Sequence, residues 1–418
     1  MPPRRALIIG GSLGGLLAAH LLRSAGWDPV IFERNVDDLT GRGAGVSTHP
    51  QLIDILRRIG IDFDESMGIK VDTVICLDRA GHTYLTTETA RIMSSWGRLY
   101  RSLRDPLPSE SYRLGMSLHR VEQDEDGVTA VFADGTRVRG ELLVGADGVR
   151  STVREQFLPQ ATPQYAGYVA WRAMLDESEV PPDIRAEIFE RYTFCLPEGE
   201  LCLAYPVPGR NNETQPGRRA YNIVWYHPIA PDTLTNLCTD ASGRCHGTTI
   251  PPPLIRPEVT AAIKATSRAL LAPQVAEIFA RTPQPFFQPI FDLDSPQIAF
   301  ARVALLGDAA FVARPHVGAG VTKAALDAAS LASAVAGDDV VAGLLHYQRE
   351  QKPFGSGLVA LGRQEGAYLS AQIKPRHQRS AAELDRDIND VLLAHNSRSE
   401  SLRNVLVRTR RTMSAEAT

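Results

Sequence analysis

The first 33 residues restrict the fold more than any other stretch. Ala6-Leu7-Ile8-Ile9 is a short apolar run that enters Gly10-Gly11-Ser12-Leu13-Gly14-Gly15. Leu13, Leu16, Leu17, His20, Leu21 and Leu22 follow at helical spacing, and Gly26 stops the helix. Val30-Ile31-Phe32 is a second apolar run, and it ends on Glu33. Strand, glycine turn, helix and strand make a βαβ unit, which predicts a right-handed crossover and a parallel sheet. The turn departs from G-x-G-x-x-G: Gly10 and Gly15 keep the outer positions, and Ser12 takes the middle one. The middle position lets the backbone approach a pyrophosphate. Serine is the least intrusive replacement, and its hydroxyl can donate to a phosphate. Glu33 stands near the ~20-residue offset of an acid that accepts from a ribose hydroxyl. A tight turn without a ligand is the plainer alternative, but the five features together favour a nucleotide.

Two more turns of this kind lie far downstream. Leu142-Leu143-Val144 leads into Gly145-Ala146-Asp147-Gly148. Val303-Ala304-Leu305-Leu306 leads into Gly307-Asp308, and Arg314-Pro315-His316-Val317-Gly318-Ala319-Gly320 then opens an Ala-rich helix. Three such turns predict one large cofactor clamped by distant segments, which points to FAD. Asp308, at a strand end, can hydrogen-bond a ribityl hydroxyl; a helix N-cap is its alternative role. The amides of Gly318, Gly320, Val321 and Thr322 open a helix toward the flavin pyrimidine edge, where negative charge builds on reduction.

Between these turns the chain alternates between strand and loop signals. Residues 71–89 read as strands around a turn at Asp78-Arg79-Ala80-Gly81, and Ala133-Asp134-Gly135 reads as a hairpin turn. Residues 165–230, rich in Tyr, Trp, Val and Pro, favour strands. From about Pro257 helix formers dominate. Hydrophobic content of 44% in 418 residues suits two or three globular units, and a net charge of −3 gives no footprint for nucleic acid or an anionic membrane. No apolar run approaches the roughly 20 residues of a membrane span. The five cysteines form no CxxC pair, and they read as reduced thiols of a cytoplasmic protein. No metal-ligand spacing is present.

The three turns, in this order and spacing, resemble the signatures of single-component flavin-dependent aromatic hydroxylases related to para-hydroxybenzoate hydroxylase. The resemblance spans roughly residues 5–370. Within that family the hydroxypyridine-acting members are the most similar, through Gly41-Arg42-Gly43-Ala44-Gly45, Tyr165 to Arg172, Ala204 to Arg210 and Arg314-Pro315-His316. The resemblance implies an α/β, Rossmann-like FAD-binding domain interleaved with a mostly antiparallel β-sheet substrate domain. The expected cofactor unit is 1–70, 96–164 and 286–340. The substrate unit is 71–95 and 165–285, and 341–418 forms a C-terminal helical region.

By the same resemblance, Gly10, Ser12, Leu13 and Gly14 form the phosphate turn. Glu33 and Arg34 sit at the adenosine ribose, and Leu118 gives backbone contacts to adenine. Arg42 and Gly45 line the loop beside the flavin, Asp147 serves pyrophosphate and NAD(P)H, and Asp308 and Pro315 hold the ribityl side. Val321 and Thr322 meet the flavin O2 edge. Two departures stand out. Trp96 occupies the position where many relatives carry a phosphate-binding arginine, and Phe311, read as a packing residue, replaces a usual histidine.

The family reaction reduces FAD with NADH or NADPH, adds O2 at flavin C4a and transfers OH to an electron-rich ring. The protein excludes water, aims the ring and assists its deprotonation. His316 is the first candidate base, because it follows Pro315 in the flavin-facing turn; a structural hydrogen bond is its alternative. His49 and Tyr205 are further catalytic candidates. Arg172, Tyr205, His227 and His316 are the substrate-contact candidates, and Tyr168, Trp171, Trp225 and Tyr226 are core or pocket wall.

The expected activity is therefore FAD-dependent hydroxylation of a small hydroxylated aromatic, a hydroxypyridine-type ring above all. Phenolic, urate-like and polyketide-derived substrates are alternatives, as is a flavin reductase or dehydrogenase. No nucleic-acid or membrane partner is expected, a homodimer is possible, and Arg408, Arg410 and Arg411 read as a solvated end.

Overall fold

The apolar runs that precede the three glycine turns become neighbours in one sheet. A computed structural model of the chain describes residues 4–39, 45–64, 67–384, 391, 400, 402 and 404–406. Arg42 and the Arg408–Arg411 segment lie outside the described residues. The six-stranded sheet runs Ala299–Phe300, Val303–Leu305, Leu142–Gly145, Arg4–Ile9, Trp27–Phe32, Tyr112–Arg113. Its pairs are parallel except at the Ala299–Phe300 edge, where the pair is antiparallel. The helices Leu13–Ser24 and Gly320–Ala334 and the sheet of Leu118–Gln123, Val128–Phe132 and Arg137–Gly140 share its apolar core. Parallel strands end on one edge of a sheet, so Gly10, Glu33, Ala146 and Gly307 emerge together.

The second sheet has nine strands, in the order Phe311–Val312, Phe286–Asp294, Gln164–Asp176, Ala220–Pro228, Leu201–Val207, Tyr192–Cys195, Ile69–Leu77, Thr83–Ser95, Gly45–Ser47. Its pairs are antiparallel except Tyr192–Cys195 with Ile69–Leu77. Register sorts its side chains with a period of two. Arg172 lies opposite Val224, Ala170 opposite Tyr226, and Leu203 opposite Val224. Tyr168, Ala170, Leu203, Tyr205, Val224 and Tyr226 therefore belong to one apolar layer. Trp171, Ala173, Cys202, Ile223 and Trp225 belong to the other, packed on the helices Pro257–Leu270 and Pro273–Arg281.

Three boundaries differ from the sequence-based expectation. Phe286–Asp294 and Phe311–Val312, expected in the cofactor unit, are strands of the large sheet, and so is Gly45–Ser47. Helix formers do not prevail throughout after Pro257, because Phe286–Asp294 pairs with Gln164–Asp176 and its aromatic residues fit that half-buried surface. The region after 340 also begins inside the cofactor unit. The helix Val340–Glu365 places Val340, Leu344, Tyr347 and Val359 in the same core as the parallel strands, and the Tyr347 hydroxyl donates to the Leu305 carbonyl at 2.9 Å. Among the described residues no helix is long and apolar enough to cross a membrane.

A buried ion cluster ties the two sheets together. The Asp292 carboxylate, on the large sheet, accepts from Arg314 Nε and Nη2 at 3.0 and 2.8 Å and from Arg363 Nε and Nη2 at 2.8 and 2.6 Å. Arg314 also donates to the Ser370 hydroxyl at 2.6 Å. Asp292 and Arg314 are buried, whereas Arg363 is half exposed. Removing one partner of a buried pair leaves an uncompensated charge. Asp292→Ala should therefore lower unfolding free energy by about 3–5 kcal/mol, read as a lower urea midpoint at unchanged slope. Arg363→Ala should cost far less, because Arg314 still neutralises Asp292; an equal loss from both would refute this account.

Candidate active site

The first turn is built by backbone contact. Gly10 has φ +109°, and a Cβ there would sit 2.4 Å from the Ala146 carbonyl oxygen. A Cβ on Gly15 would sit 2.0 Å from the Gly10 carbonyl oxygen. Both positions exclude any side chain, so helix, strand and the Ala146 segment lie against one another. Glu33 is buried at the strand end. Its Oε2 accepts from the Gly11 amide at 2.8 Å, and its Oε1 accepts from the Asn35 amide at 2.9 Å and from the Asn35 side chain. Ser12 makes no side-chain cap on the helix that follows. A cavity of about 200 Å³ opens here, lined by Gly10, Ser12, Glu33, Arg34, Leu118 and Asp147 among others. Trp96 also lines it and stacks on Tyr100 at 4.9 Å, so an aromatic face borders this end of the cleft. Leu13 and Gly14 lie behind the turn: Leu13 is core, and Gly14 abuts Leu306.

A second cavity, of about 390 Å³, lies between the Asp308–Lys323 segment and the large sheet. Asp308, Pro315, Gly318, Gly320, Val321 and Lys323 line one side. Tyr192, Leu203, Tyr205, Val224, Tyr226 and Arg172 line the other. Tyr205 stacks on Tyr192 at 5.0 Å and covers Gly45, where a Cβ would meet the ring at 2.4 Å. Arg172 Nε donates to Gln288 Oε1 at 3.1 Å. Ala146, Asp147 and Gly148 line the first cavity and Val149 the second, so the two are ends of one cleft along the strand ends. A larger surface groove, of about 710 Å³ around Arg256 and Lys264, contains none of the turn residues.

Two carboxylates of the cleft, Asp308 and Asp147, share an electrostatic character. Asp308 is exposed to the cleft yet enclosed by the mass of the protein, and this desolvation pushes its carboxyl above the usual value, with Lys323 opposing. Asp147 is likewise raised by burial; its Oδ1 accepts from the Ser151 hydroxyl at 2.5 Å and its Oδ2 from the Val153 amide at 3.2 Å. The helix Gly320–Ala334 begins without a side-chain cap, leaving its first amides at the cavity wall.

None of the three candidate histidines lines the cavity. His316 is buried behind it. Its Nε2 is 2.7 Å from the Tyr168 hydroxyl, and its ring centroid lies 4.6 Å from that of Tyr226, which does line the cavity. Burial pushes the Tyr168 phenol well above its usual range. His49 Nδ1 lies 3.0 Å from the Thr322 hydroxyl, bridging the helix Pro50–Arg58 to the first turn of Gly320–Ala334. The expectation that His227 roofs the pocket is corrected: it lies on the opposite face, with Nδ1 2.7 Å from Glu200 and its ring beside Trp225. One residue of offset from Tyr226 reverses the face. Tyr168 and Tyr226 are on the cavity side, whereas Trp171 and Trp225 belong to the far layer.

Comparison with known proteins gives this cleft its family. A model described as FAD binding domain matches residues 4–196, and one described as FAD binding domain-like matches 165–292. Over 331 residues the chain is 32% identical to 2,6-dihydroxypyridine 3-monooxygenase of Paenarthrobacter nicotinovorans, covering 78% of this chain and 82% of that protein. The chain belongs to the FAD-dependent aromatic monooxygenases. This monooxygenase is also 28% identical to 6-hydroxynicotinate 3-monooxygenase of Bordetella bronchiseptica, over 78% of this chain and 81% of that one. The solved structure of 2,6-dihydroxypyridine-3-hydroxylase from Arthrobacter nicotinovorans superposes with a TM-score of 0.82 at 27% identity, covering 92% of this chain and 98% of that one. FAD is the cofactor of the family, and the cleft fits it. A turn whose Gly10 and Gly15 admit no side chain, a buried acid at the second strand end and uncapped helix amides are spread along one elongated space.

Lys323 was missed from the sequence, and so were Tyr192 and Gln288. A signal for the lysine was present, since Lys323 and Asp327 stand four apart in a helix that otherwise reads as buried. Tyr192 and Gln288 carried none, because their register depends on strand pairing.

The raised Asp308 carboxyl sets a pH dependence. The folded state binds this proton more tightly than the unfolded chain, so its stabilisation is full below 3.8 and is lost as pH rises toward the higher folded value. Asp308→Asn removes that penalty. The apoprotein variant should melt above wild type at pH 7, with the gap closing toward pH ~4. A gap of the same size at both ends would contradict the assignment.

Proposed function

We propose that this monooxygenase hydroxylates a small hydroxypyridine-type ring, using NAD(P)H and O2. The observation that carries the reading is the aromatic-walled cavity of about 390 Å³ beside Asp308 and the start of the Gly320–Ala334 helix. Tyr192, Tyr205 and Tyr226 suit a flat ring. Arg172, oriented by Gln288, offers the charge that a ring hydroxylate or carboxylate prefers. The names of two relatives, acting on 2,6-dihydroxypyridine and on 6-hydroxynicotinate, support the same substrate class.

Bound FAD supplies the redox chemistry, taking electrons from NAD(P)H and activating O2. The residues of the chain bind and aim. Glu33 accepts from the adenosine ribose with Arg34 beside it, Leu118 borders adenine, and the Gly10–Ser12 turn, backed by Leu13 and Gly14, faces the pyrophosphate with Asp147. Asp308 holds the ribityl chain. Pro315 shapes the turn, and the amides of Gly318, Gly320, Val321 and Thr322 face the flavin edge. Gly45 keeps the Tyr205 ring at the cavity. Tyr205, one of three tyrosines lining the cavity, is the candidate to hold a ring proton. His316 is a positioning residue acting through Tyr168 and Tyr226, and His49 is one acting through Thr322. Desolvation by the apolar walls strengthens each polar contact with the ring.

The test is substrate-stimulated NAD(P)H oxidation by the FAD-loaded protein with hydroxypyridines, hydroxybenzoates and purines under labelled O2. A hydroxypyridine should accelerate oxidation and gain one labelled oxygen. Selective hydroxylation of a benzoate or a purine would overturn the substrate class, and no incorporation from any ring would bring the reductase alternative forward. Arg172→Met should raise the KM for the responding ring about tenfold, the loss of one charge-assisted hydrogen bond. Glu33→Gln should weaken FAD binding to the apoprotein by about tenfold, for the same reason.

A further inference from the structure

The roles above leave Trp96 without a task. It opens the helix Trp96–Arg104, which Ser95 caps by accepting from the Arg98 amide at 3.1 Å. Leu99, Tyr100 and Leu103 are the buried face of that helix, each 0% exposed. Trp96 stands on the same face, one turn before Leu99 and Tyr100. Unlike them it is only partly buried, and it lines the cavity that also holds Gly10, Ser12, Glu33, Leu118 and Asp147. Phe32 is the other aromatic residue of that lining, and it is 1% exposed, so the accessible ring is the Trp96 indole.

The indole is held in place from behind. Its ring lies on Tyr100 with centroids 4.9 Å apart and planes 11° from parallel. The Tyr100 hydroxyl is 3.1 Å from that of Tyr112, and Tyr112 donates to the Gly11 carbonyl at 2.9 Å. A Cβ on Gly11 would meet the Tyr112 oxygen at 2.2 Å, so tyrosine and glycine turn are in direct contact. Gly11 is also the residue whose amide donates to Glu33 at 2.8 Å. Stack and hydrogen bonds thus fix the indole relative to the turn and to the acid. Tyr100 covers one face of the ring, which leaves the other face and the edge for the cavity.

We infer that Trp96 is a cofactor-contacting residue: its indole is the aromatic wall against which the ADP half of bound FAD packs. This rests on the family's use of FAD, and on the assignment of Glu33 and Leu118 to the adenosine end. It adds a contact that the roles above do not include. A flat adenosine group gains from a ring that is already immobilised, because the stack on Tyr100 is formed before the cofactor arrives. The contact is neutral, so it acts through apolar and π surface and leaves the phosphates to the amides of the turn.

The experiment titrates the apoprotein with ADP, the probe for that half of the cofactor, and in parallel with FAD. Wild type is compared with Trp96→Phe and Trp96→Leu. Affinity is read by calorimetry, and tryptophan emission is followed during the ADP titration. ADP should bind wild type and change its emission. Trp96→Phe should lose most of that change, because Trp27, Trp171 and Trp225 do not line the cavity. It should still bind ADP within about threefold of wild type, since a ring remains. Trp96→Leu should weaken ADP and FAD alike by about tenfold, the scale of one lost base–aromatic stack. A wild-type emission that ADP leaves unchanged would overturn the inference, and so would a full-sized change in Trp96→Phe. Unaltered ADP affinity in Trp96→Leu, or wild type that binds FAD but not ADP, would overturn it too. If Trp96→Leu does not fold, the emission of Trp96→Phe decides alone. Wild-type protein that takes up no FAD would sink the cofactor reading itself, a separate result.

Discussion

The cleft depends on the backbone-to-backbone contact at Gly10. The atom a side chain would add there collides with the Ala146 carbonyl, and the atom it would add at Gly15 collides with Gly10. These contacts let the first helix rise directly from the first strand and bring the Ala146–Val149 segment alongside. Parallel strands end on one edge, so the third segment, from Gly307, arrives beside the other two. Most of the polar groups assigned to the cofactor are carried by these segments or by the helix that follows them, and Glu33 and Arg34 join them from the end of the neighbouring second strand.

Aligning the two sheets is a separate problem, met by charge as well as by apolar packing of Phe311 into the core of the parallel sheet. Asp292 is on the large sheet, Arg314 is in the turn that borders the cavity, and Arg363 is on the long helix. The same turn contains His316, whose ring meets Tyr168 and Tyr226 from the sheet. The two walls of the cavity thus meet at a small set of hydrogen-bonded rings and ions. Shape at this seam is set by directional contacts, which suits a site that has to aim one ring atom.

The cofactor half of the site was legible because its chemistry is local. Gly10, Glu33, Asp147 and Asp308 each lie at the end of an apolar run, and strand ends are readable one at a time. The substrate half was not. Arg172, Tyr205 and His227 looked equivalent in sequence, yet Arg172 and Tyr205 line the cavity while His227 turns to Glu200 on the far face. In a strand the decision between faces rests on one residue of register, and register is set by partners distant in sequence, Asn222 for Tyr205, Val224 for Arg172 and Val169 for His227. His316 failed as a direct contact for a similar reason. Its motif placed it at the cavity, and packing against Tyr168 put it one layer behind.

The sequence alone determined the parallel sheet, the glycine turns, the acids at strand ends and hence the class of cofactor, because each follows from steric and hydrogen-bonding rules acting over a few residues. Only the tertiary structure decided which face of the large sheet meets the ring, which strands belong to it, and that a buried lysine lies beside Asp308. Those facts depend on pairings between distant segments, and no local pattern encodes the contact between two of them.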